Sequence, residues 1–259
     1  MPRRRLKNLR AIVTGASGGI GRQLALQLGK AGAKLVLVAR DTEALESLRD
    51  ELAPAEACVV AGDVTEPAAR RAAIETAKRE FGGLDLLLNN AGVGAYGRFD
   101  EASPDRLRRV MEVNFFAAAE LIREAAPLLA EGVDPAVVNI GSILGCRGVS
   151  LCSEYNASKF ALHGLSESIR PELRKRGIEL LVVAPGATES GFRQNVLDTP
   201  SQQPWATSRK TSAEAVAAST LRALRRRRRF IVPSRSGWLM VYGNRLVPWL
   251  FDRVLDRYG

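Results

Sequence analysis

Two side chains that could do chemistry together, Tyr155 and Lys159, stand four positions apart in the segment YNASK. On a helix this spacing places both side chains on one face. Neither a phenol nor an ammonium group titrates near neutral pH on its own. The pair is therefore either incidental surface chemistry or a phenol that a neighbouring cation has made acidic enough to move protons. The rest of the sequence has to separate these two interpretations.

A glycine-rich loop, TGASGGIG at residues 14–21, follows the first predicted strand. Gly15, Gly19 and Gly21 leave out side chains where the chain turns tightly and where a phosphate would approach the backbone. The following helix would offer free amides and the positive end of its dipole to that phosphate. Such a loop is a weak signal alone, but its place in a β–α–β unit favours dinucleotide binding. It lacks the terminal G-K-[ST] of a P-loop, which disfavours a nucleoside triphosphatase.

The second predicted strand ends at Arg40, and Asp41 follows directly. An acidic residue at this place accepts hydrogen bonds from the ribose 2′-hydroxyl of NAD, whereas an arginine suits the 2′-phosphate of NADP. An ordinary exposed arginine at a strand end is the simpler alternative. We predict NADP as the cofactor, with NAD as the less favoured choice.

Short apolar runs alternate with helical stretches along the whole chain. Most of the runs lack polar alternation, as expected of strands buried on both faces of a parallel sheet. The pattern predicts an α/β fold in one domain over residues 1–259: a single doubly wound (Rossmann-type) parallel seven-stranded sheet with helices on both faces. The predicted strands are 11–15, 34–40, 57–63, 84–92, 135–142, 178–186 and 229–234, and the predicted helices are 18–31, 42–53, 66–81, 104–130, 154–175 and 212–227.

Six motifs stand in the order and spacing of the short-chain dehydrogenase/reductase family, which the chain resembles over about residues 8–192 and again near residue 230. Single motifs of this kind are modestly specific, but six in register are very specific. The resemblance implies a catalytic tetrad of Asn114, Ser142, Tyr155 and Lys159. The six motifs are TGASGGIG, NNAG at 89–92, Asn114, Ser142, YNASK, and the pair Pro185 and Gly186.

The resemblance also implies a role for each member of the tetrad. Tyr155 would be the general acid in carbonyl reduction and the general base in alcohol oxidation. Its unperturbed pKa is about 10, so activity near neutrality needs a fall of roughly 3 units, or about 4 kcal/mol. An ammonium group at about 4 Å supplies about that much at an effective dielectric constant near 20, and Lys159 is the matching group. Ser142 would hold the substrate oxygen, and Asn114 would hold a water that links the lysine to solvent.

Cofactor contacts are implied by the same resemblance. The adenosine end would lie against residues after the third and fourth strands, and the nicotinamide against residues after the sixth. The predicted cofactor-binding set is Gly15, Ser17, Gly19, Ile20, Gly21, Arg40, Asp63, Val64, Asn90, Ala91, Gly92, Tyr155, Lys159, Pro185, Gly186, Thr188 and Ser190.

Composition limits the function classes. The chain has 259 residues, 46% of them hydrophobic, which is enough to bury a large core. Three cysteines without a four-ligand pattern predict free thiols in a reducing compartment and no metal site. No segment reads as an export signal or a spanning helix, so we expect a cytoplasmic protein, with membrane association as a further option. The net charge of +10 has no aromatic-interleaved basic surface with it, so nucleic acid is not an expected partner.

Three further residues invite chemistry, but simpler roles are favoured. His163 is the single histidine, and we expect it to serve helix packing or a structural hydrogen bond. Cys146 and Cys152 flank the substrate side of the predicted crevice, and we expect them to be small apolar wall residues.

The last part of the chain carries a predicted lid and an extension. Residues 191–212 stand where the family has a mobile substrate lid, with Phe192 and Trp205 as apolar contacts. The extension, residues 236–259, has apolar residues at helical spacing. Together with the preceding arginines, the segment 225–259 suits peripheral membrane contact, and packing on its own or a neighbouring subunit is the alternative. A tail of this kind resembles that of family members with lipophilic substrates.

The sequence therefore predicts an NADP(H)-dependent oxidoreductase that interconverts a ketone or aldehyde and an alcohol by direct hydride transfer. Its partner would be a small carbonyl or alcohol substrate, and the chain would form a homo-oligomer, a dimer or a tetramer. Two alternatives stay open: a catalytically silent NADP-binding sensor or scaffold, and a basic protein that interacts with membrane surfaces. The four filled catalytic positions argue against the sensor.

Overall fold

Seven parallel strands form the central sheet of the computed structural model, which describes residues 2–192, 196–197 and 210–255. The strands in chain order are β1 (Arg10–Thr14), β2 (Lys34–Ala39), β3 (Ala57–Ala61), β4 (Leu86–Asn89), β5 (Gly94–Ala95), β6 (Ala136–Ile140), β7 (Glu179–Val183), β8 (Thr188–Glu189), β9 (Val196–Leu197), β10 (Thr211–Ser212) and β11 (Phe230–Ile231). The central sheet has the order β11-β7-β6-β4-β1-β2-β3, and β5, β8, β9 and β10 form two short pairs outside it. The order reverses at β1, as in a doubly wound fold, which confirms the predicted fold class.

The helices begin where the sequence provides a start signal. Asp41 caps the second helix by accepting a hydrogen bond from the Ala44 amide at 3.0 Å. Pro67 and Pro104 stand in the first turns of the third and fourth helices, as predicted. The helices are α1 (Gly19–Lys30), α2 (Thr42–Glu51), α3 (Pro67–Phe81), α4 (Pro104–Met111), α5 (Ala117–Ala130), α6 (Ser153–Lys175), α7 (Ala213–Arg225), α8 (Arg235–Leu246) and α9 (Pro248–Leu255).

Successive strand residues face two hydrophobic cores on opposite sides of the sheet. In β1, Val13 packs into a core with α1, α2 and α7, whereas Ile12 packs into a core with α3, α5 and α6. Both side chains are fully buried. Because each face of the sheet is covered, the strands need no polar alternation, which explains the continuous apolar runs in the sequence.

Several predicted elements differ from the structure. The predicted helix 104–130 is interrupted by a π-helical turn over Glu112–Phe116 that separates α4 from α5. The predicted strands at 84–92 and 229–234 are shorter, since β4 ends at Asn89 and β11 pairs only with β7 at the sheet edge. The early end of β4 leaves residues 90–92 as a loop at the carboxyl end of the sheet.

Basic residues from the two ends of the sequence meet in one ion-pair network. Arg4 is buried and donates to Glu179 Oε2 at 3.0 Å and to Asp134 Oδ1 at 3.2 Å. Arg227 donates to the same two carboxylates, in each case at 2.8 Å. This network lies at the amino-terminal ends of β6 and β7. Part of the positive charge is thus neutralised inside the fold.

The carboxyl-terminal extension forms α8 and α9, which pack beside the 3-10 turn after β6. Gly237 and Val241 are the buried residues of α8, and Gly237 lies against the Ile143 side chain. Asp252 of α9 forms an ion pair with Arg147. Within the part of the chain that the structure describes, no helix is both long enough and apolar enough to cross a membrane.

Candidate active site

The predicted site residues collect at the carboxyl end of the central sheet. Gly15 follows β1, Asn90 follows β4, Ser142 lies just after β6, and Pro185 lies just after β7. These four strands are neighbours in the sheet, and β1 is where the strand order reverses. Ligand crevices of doubly wound sheets open at this point. A cavity of about 1190 Å³ occupies it.

Most of the predicted site residues line this cavity, whereas Gly21 and Asn114 lie behind its wall. Residues that are far apart in the sequence thus face one space. The lining members are Gly15, Ser17, Gly19, Ile20, Arg40, Asp63, Val64, Asn90, Ala91, Gly92, Ser142, Tyr155, Lys159, Pro185, Gly186, Thr188 and Ser190.

The glycine loop is held in place by Thr14 and Asn90. The Thr14 hydroxyl accepts hydrogen bonds from the Asn90 and Ala91 amides at 2.9 and 3.1 Å. The Asn90 side-chain amide donates to the Thr14 and Gly15 carbonyls at 3.0 and 3.1 Å. A Cβ at Gly15, where φ is 63°, would stand 2.8 Å from that amide nitrogen. Both the backbone conformation and the lack of space require glycine at this position.

The first turn of α1 opens onto the cavity. Gly18 precedes the helix and forms no side-chain cap, and a Cβ placed on it would meet nothing within 4 Å. The first amides of a helix have no partners within the helix, and the dipole is positive there, so an anion is stabilised at this point. Ser190 lies close by, since a Cβ at Gly19 would stand 2.6 Å from the Ser190 carbonyl oxygen.

Arg40, Asp41 and Asp63 mark the end of the cavity next to β2 and β3. Arg40 and Asp41 are exposed, and the Asp41 carboxylate is engaged as the cap of α2. Asp63 Oδ1 accepts hydrogen bonds from the amide and the hydroxyl of Thr65, both at 2.9 Å, which fixes this turn. No residue that the structure describes forms an ion pair with Arg40. Its guanidinium is therefore available to a ligand.

Ser142, Tyr155 and Lys159 meet on the side of the cavity formed by β6 and α6. The Ser142 hydroxyl accepts a hydrogen bond from the Leu144 amide at 3.1 Å, which caps the short 3-10 turn that follows. Lys159 Nζ donates to the Ile140 carbonyl at 3.0 Å and lies 5.7 Å from the centre of the Tyr155 ring. Tyr155 and Lys159 thus share one face of α6, as their spacing predicts.

The pKa of the Tyr155 phenol lies above its ordinary value, whereas the sequence predicts a fall. Burial is the largest cause and the neighbouring Tyr96 adds to it, while hydrogen bonding with the Ser142 hydroxyl acts in the opposite direction. The phenol is partly exposed to the cavity, and solvent there moderates the effect of burial. In this cleft burial opposes the predicted fall of the pKa, and the prediction that Lys159 lowers it to near neutrality stays a prediction. Near neutral pH, Tyr155 is a protonated acid.

Burial lowers the pKa of Lys159 to about 8. Only 4% of the residue is exposed, and the Ile140 carbonyl accepts from one of the three N–H donors of its ammonium group. Gly92 faces the same group, since a Cβ there would lie 3.7 Å from Nζ. At neutral pH the lysine still carries most of its charge, next to the phenol and inside the protein.

Asn114 lies in the π-helical turn and is buried behind the cavity wall. Its Oδ1 accepts a hydrogen bond from the Val93 amide at 2.8 Å, and its Nδ2 donates to the Val93 carbonyl and to Ser158 Oγ, both at 3.0 Å. Ser158 Oγ in turn donates to the Tyr155 carbonyl at 2.8 Å. Asn114 therefore anchors the start of α6. Its predicted role in holding a water near Lys159 stays a prediction.

A buried ion pair next to the site was not predicted from the sequence. Arg106 of α4 and Glu154 of α6 approach to 2.7 Å, with side chains 5% and 1% exposed. Glu154 directly precedes Tyr155, so the pair ties the catalytic side of α6 to α4. Thr14 was also missed as the organiser of the glycine loop, although it stands in the TGASGGIG motif. Lys210 and Met240 also line the cavity, and neither had a sequence signal.

His163 serves packing, as predicted. It is buried, its ring contacts Phe230 at 6.0 Å between centroids, and burial lowers its pKa to about 4. Cys146 Sγ lies 3.6 Å from His163 Nδ1, and Cys152 is fully buried. Neither cysteine lines the cavity, so their predicted place in the substrate wall is wrong. The described residues contain no group of three or more metal-ligating His, Cys, Asp or Glu side chains.

The structure describes three short parts of the predicted lid, residues 191–192, 196–197 and 210–212. Phe192 lines the cavity, and its ring contacts that of Tyr155 with the centroids 5.8 Å apart. Trp205 and most of residues 191–212 lie outside the described residues.

Comparison with known proteins places the chain in a family. Residues 10–201 match the family model described as short chain dehydrogenase. The chain belongs to the short-chain dehydrogenase/reductase family of oxidoreductases, which confirms the resemblance seen in the sequence. Dehydrogenase/reductase SDR family member 7B of Bos taurus is 34% identical to it, over 96% of this chain and 81% of that protein.

Two solved structures share the fold. A short chain dehydrogenase/reductase from Burkholderia phymatum, in complex with NAD, has a TM-score of 0.87 and 29% identity, covering 95% of this chain and 96% of its own. A short chain dehydrogenase from Burkholderia cenocepacia J2315, in complex with NADP, has a TM-score of 0.78 and 28% identity, covering 88% of this chain and 97% of its own.

Proposed function

We propose that this protein is an NADP(H)-dependent oxidoreductase that interconverts a ketone or aldehyde and the corresponding alcohol by direct hydride transfer. One observation carries the proposal: Ser142, Tyr155 and Lys159 meet on one wall of a cavity whose other end holds the glycine loop and Arg40. A dinucleotide and a carbonyl compound would share this space. Family membership supports the same class of reaction.

The residues around the cavity fit a nicotinamide dinucleotide. The open side of Gly18 and the uncapped start of α1 suit a pyrophosphate. Asp63 uses Oδ1 for its own turn, so Oδ2 can accept a hydrogen bond from the adenine amino group. The crowding around Gly15 keeps the loop close to β4, which leaves the space above it to the ligand.

The preference for NADP rests on Arg40. Its guanidinium is exposed at the cavity, and the adjacent carboxylate, on Asp41, is engaged in capping α2. A guanidinium forms charge-assisted, bidentate hydrogen bonds with a 2′-phosphate, whereas the oxygen of a 2′-hydroxyl offers it a single uncharged acceptor. The two Burkholderia structures hold NAD and NADP respectively, so family membership alone leaves the choice open.

The chain's own residues position and protonate the substrate oxygen, and the bound cofactor supplies or accepts the hydride. The Ser142 hydroxyl accepts from the Leu144 amide and is within hydrogen-bond reach of the Tyr155 phenol, so its O–H can donate to a substrate oxygen held between the two hydroxyls. Tyr155 is protonated near neutral pH and gives its proton to the same oxygen during reduction. Two donors thus meet where negative charge develops.

Lys159 acts on the phenolate that remains after this proton transfer. Lys159 Nζ lies 5.7 Å from the centre of the Tyr155 ring, and a unit charge at about that distance from the phenolate would contribute about 3 kcal/mol at an effective dielectric constant near 20. Burial holds Tyr155 protonated before the reaction, and Lys159 limits the energy of its ionised form during it. Burial raises the pKa of the resting phenol and the charge of Lys159 acts to lower it. Both favour reduction at neutral pH, because burial keeps the phenol protonated and Lys159 stabilises the phenolate.

We propose that the substrate is lipophilic. Beyond the reacting groups, the cavity is lined by apolar side chains that include Leu144, Val149, Phe192 and Met240. Phe192 stands directly against the Tyr155 ring. An apolar wall next to a few convergent polar groups is typical of sites for apolar small molecules.

Replacement of Tyr155 by phenylalanine tests the reaction. Oxidation of NADPH is followed by its absorbance while a panel of ketones and aldehydes, ordered by lipophilicity, is offered. We expect Tyr155→Phe to lose at least about a hundredfold in turnover, because a positioned acid is worth about 10²–10⁴. Tyr242→Phe, which removes a phenol outside the cavity, is the matched control. Full turnover by Tyr155→Phe would overturn the assignment, and NADPH binding without turnover of any carbonyl would favour the sensor.

Replacement of Arg40 by glutamine tests the cofactor. Titration by fluorescence should give a Kd for NADPH about 10- to 100-fold higher in Arg40→Gln, because hydrogen bonds to a charged group contribute about 1.5–3 kcal/mol. The Kd for NADH should change little. Arg49→Gln removes an exposed arginine of α2 and is the matched control. A wild-type protein that binds NADH more tightly than NADPH would refute the preference.

A further inference from the structure

Exposed apolar side chains concentrate on the two carboxyl-terminal helices. The described chain has ten exposed large hydrophobic residues, and five of them lie on α8 and α9. These five are Trp238, Leu239, Leu246, Trp249 and Leu250, each with 42% to 82% of its surface exposed. Single exposed apolar residues are ordinary on protein surfaces, but a contiguous group marks an interaction site.

Trp238, Leu239 and Leu246 lie on one outward face of α8, and Trp249 and Leu250 follow on α9, whose Phe251 side chain packs against Gly243 of α8. At about 100° per residue, positions 235, 238, 239, 242, 245 and 246 fall within an arc of about 120°. The Trp238 and Tyr242 rings contact each other at 4.9 Å between centroids, and Arg245 lies 5.9 Å from the Tyr242 ring. The buried residues Gly237 and Val241 lie outside this arc. Trp238, Leu239, Tyr242 and Leu246 therefore make most of this face aromatic or aliphatic, with Arg235 and Arg245 at its two ends.

Positive charge borders this face. Arg235, Arg245 and Arg253 are exposed on the two helices. Residues 235–255 contain one acidic residue, Asp252, and it forms an ion pair with Arg147. Two copies of this face brought together would oppose arginine to arginine without acidic partners. An anionic surface complements the face, whereas a second copy does not.

The inner side of the same helix belongs to the cavity. Met240 and Gly237 of α8 line it, together with Ser234 and Ser236 at and before the first turn of the helix. A surface that receives the outward face of α8 would thus lie one helix diameter, about 10 Å, from the cavity.

We propose that the outward face of α8 and α9 docks on the surface of an anionic lipid bilayer, with Trp238 and Trp249 in the interfacial layer and the arginines at the headgroups. Tryptophan favours this layer, and basic residues beside it are attracted to anionic lipids. The docked bilayer would deliver lipophilic substrates to the cavity, and this clause alone rests on the proposed function.

Vesicle sedimentation of the full chain tests the docking without any turnover. We expect the wild-type protein to pellet with vesicles of phosphatidylcholine and phosphatidylserine, and much less with phosphatidylcholine alone. Each arginine near the surface contributes about fivefold in partitioning, so Arg235→Gln with Arg245→Gln should bind about 25-fold less. Raising the salt from about 0.1 M to about 1 M shortens the Debye length from about 10 Å to about 3 Å and should weaken binding similarly.

The double variant Trp238→Ser and Trp249→Ser should lose at least about tenfold in partitioning, whereas Phe99→Ser, an exposed aromatic elsewhere, should bind as the wild type does. Equal binding of the tryptophan variant and the wild type would overturn the proposal, as would equal binding to both kinds of vesicle. Analytical ultracentrifugation tests the alternative that a second copy of the chain binds this face. A dimer that the tryptophan variant dissociates, without vesicle binding, would assign the face to a second copy and refute the lipid surface.

Discussion

Replacing Lys159 by methionine should stabilise the folded protein near neutral pH while it abolishes carbonyl reduction. The ammonium is almost fully buried, and burial lowers its pKa from 10.5 to about 8. Methionine is unbranched and apolar, so it fills the same channel without a charge. The catalytic requirement for a cation beside Tyr155 and the stability of the fold therefore oppose each other at this position.

The magnitude follows from the pKa. A difference of about 2.5 units between the unfolded and folded states is worth about 3 kcal/mol. Methionine also gives up the hydrogen bond from Nζ to the Ile140 carbonyl, which is worth about 1 kcal/mol. The net gain in the free energy of unfolding is about 2 kcal/mol, or a rise in Tm of about 4–8 °C for a chain of this size.

The pH dependence has a definite sign. Between pH of about 8 and 10.5 the unfolded wild-type chain binds more protons at this lysine than the folded protein does, so its stability rises with pH. Below about 8 both states are protonated and the full penalty is present, and above 10.5 the penalty has gone. The advantage of Lys159→Met should thus be largest near neutral pH and should vanish or reverse near pH of about 10.5.

Urea denaturation of both proteins, followed by tryptophan fluorescence at about pH 7 and about pH 10, measures this difference. Subtraction of the two curves removes the other titrating groups, which the proteins share. Lys175→Met, at an exposed position of the same helix, is the matched control and should show no such pH dependence. A Lys159→Met variant that is less stable than the wild type by the same amount at both pH values would refute the reasoning.

Three further predictions follow from the site. Arg106→Met should lower the free energy of unfolding by about 3–5 kcal/mol in urea denaturation, because Glu154 would be left as a buried charge without its main partner; a loss below about 1 kcal/mol would contradict this. Gly15→Ala should weaken NADPH binding at least about tenfold in a fluorescence titration, because its Cβ would displace Asn90. Unchanged affinity would show that the loop accommodates a Cβ at this position. Since burial raises the pKa of Tyr155, the rate of alcohol oxidation should increase relative to the rate of carbonyl reduction as the pH rises. Parallel pH profiles of the two rates would contradict the role of Tyr155 ionisation.

The fold was predictable because its signals are local. Apolar runs without alternation predicted β1, β2, β3, β4, β6 and β7, and the predicted helix starts at 42, 66 and 104 lie within one residue of the starts of α2, α3 and α4. The loop after β1 and the pair Tyr155 and Lys159 were likewise readable from spacing. Each of these features depends on residues within a few positions of one another.

What the sequence missed depends on partners far apart in the chain. Arg4 and Arg227 belong to basic runs that the sequence alone suggests are solvated. In the structure both form ion pairs with Asp134 and Glu179. The ion pair of Arg106 and Glu154 spans two helices in the same way. The pKa of Tyr155 depends on three-dimensional burial, which no spacing rule supplies. A residue's charge can be read from the sequence, whereas the desolvation and the partners that set its effect require the packed structure.

Three separate anchors fix the start of α6, and together they explain how one phenol is held against one serine. Glu154 ties the first turn to Arg106 of α4, Ser158 ties the second turn to Asn114, and Lys159 ties it to the end of β6 through the Ile140 carbonyl. Ser142 follows the same strand end, so the Lys159 bond sets the distance between the two hydroxyls most directly. The helix is long and its later turns pack on the sheet, but only this first part faces the cavity. Loosening any one anchor should therefore misplace the proton donor without disturbing the glycine loop, which Thr14 and Asn90 hold independently. The anchors of α6 and the hydrogen bonds of the glycine loop are thus separate parts of this fold.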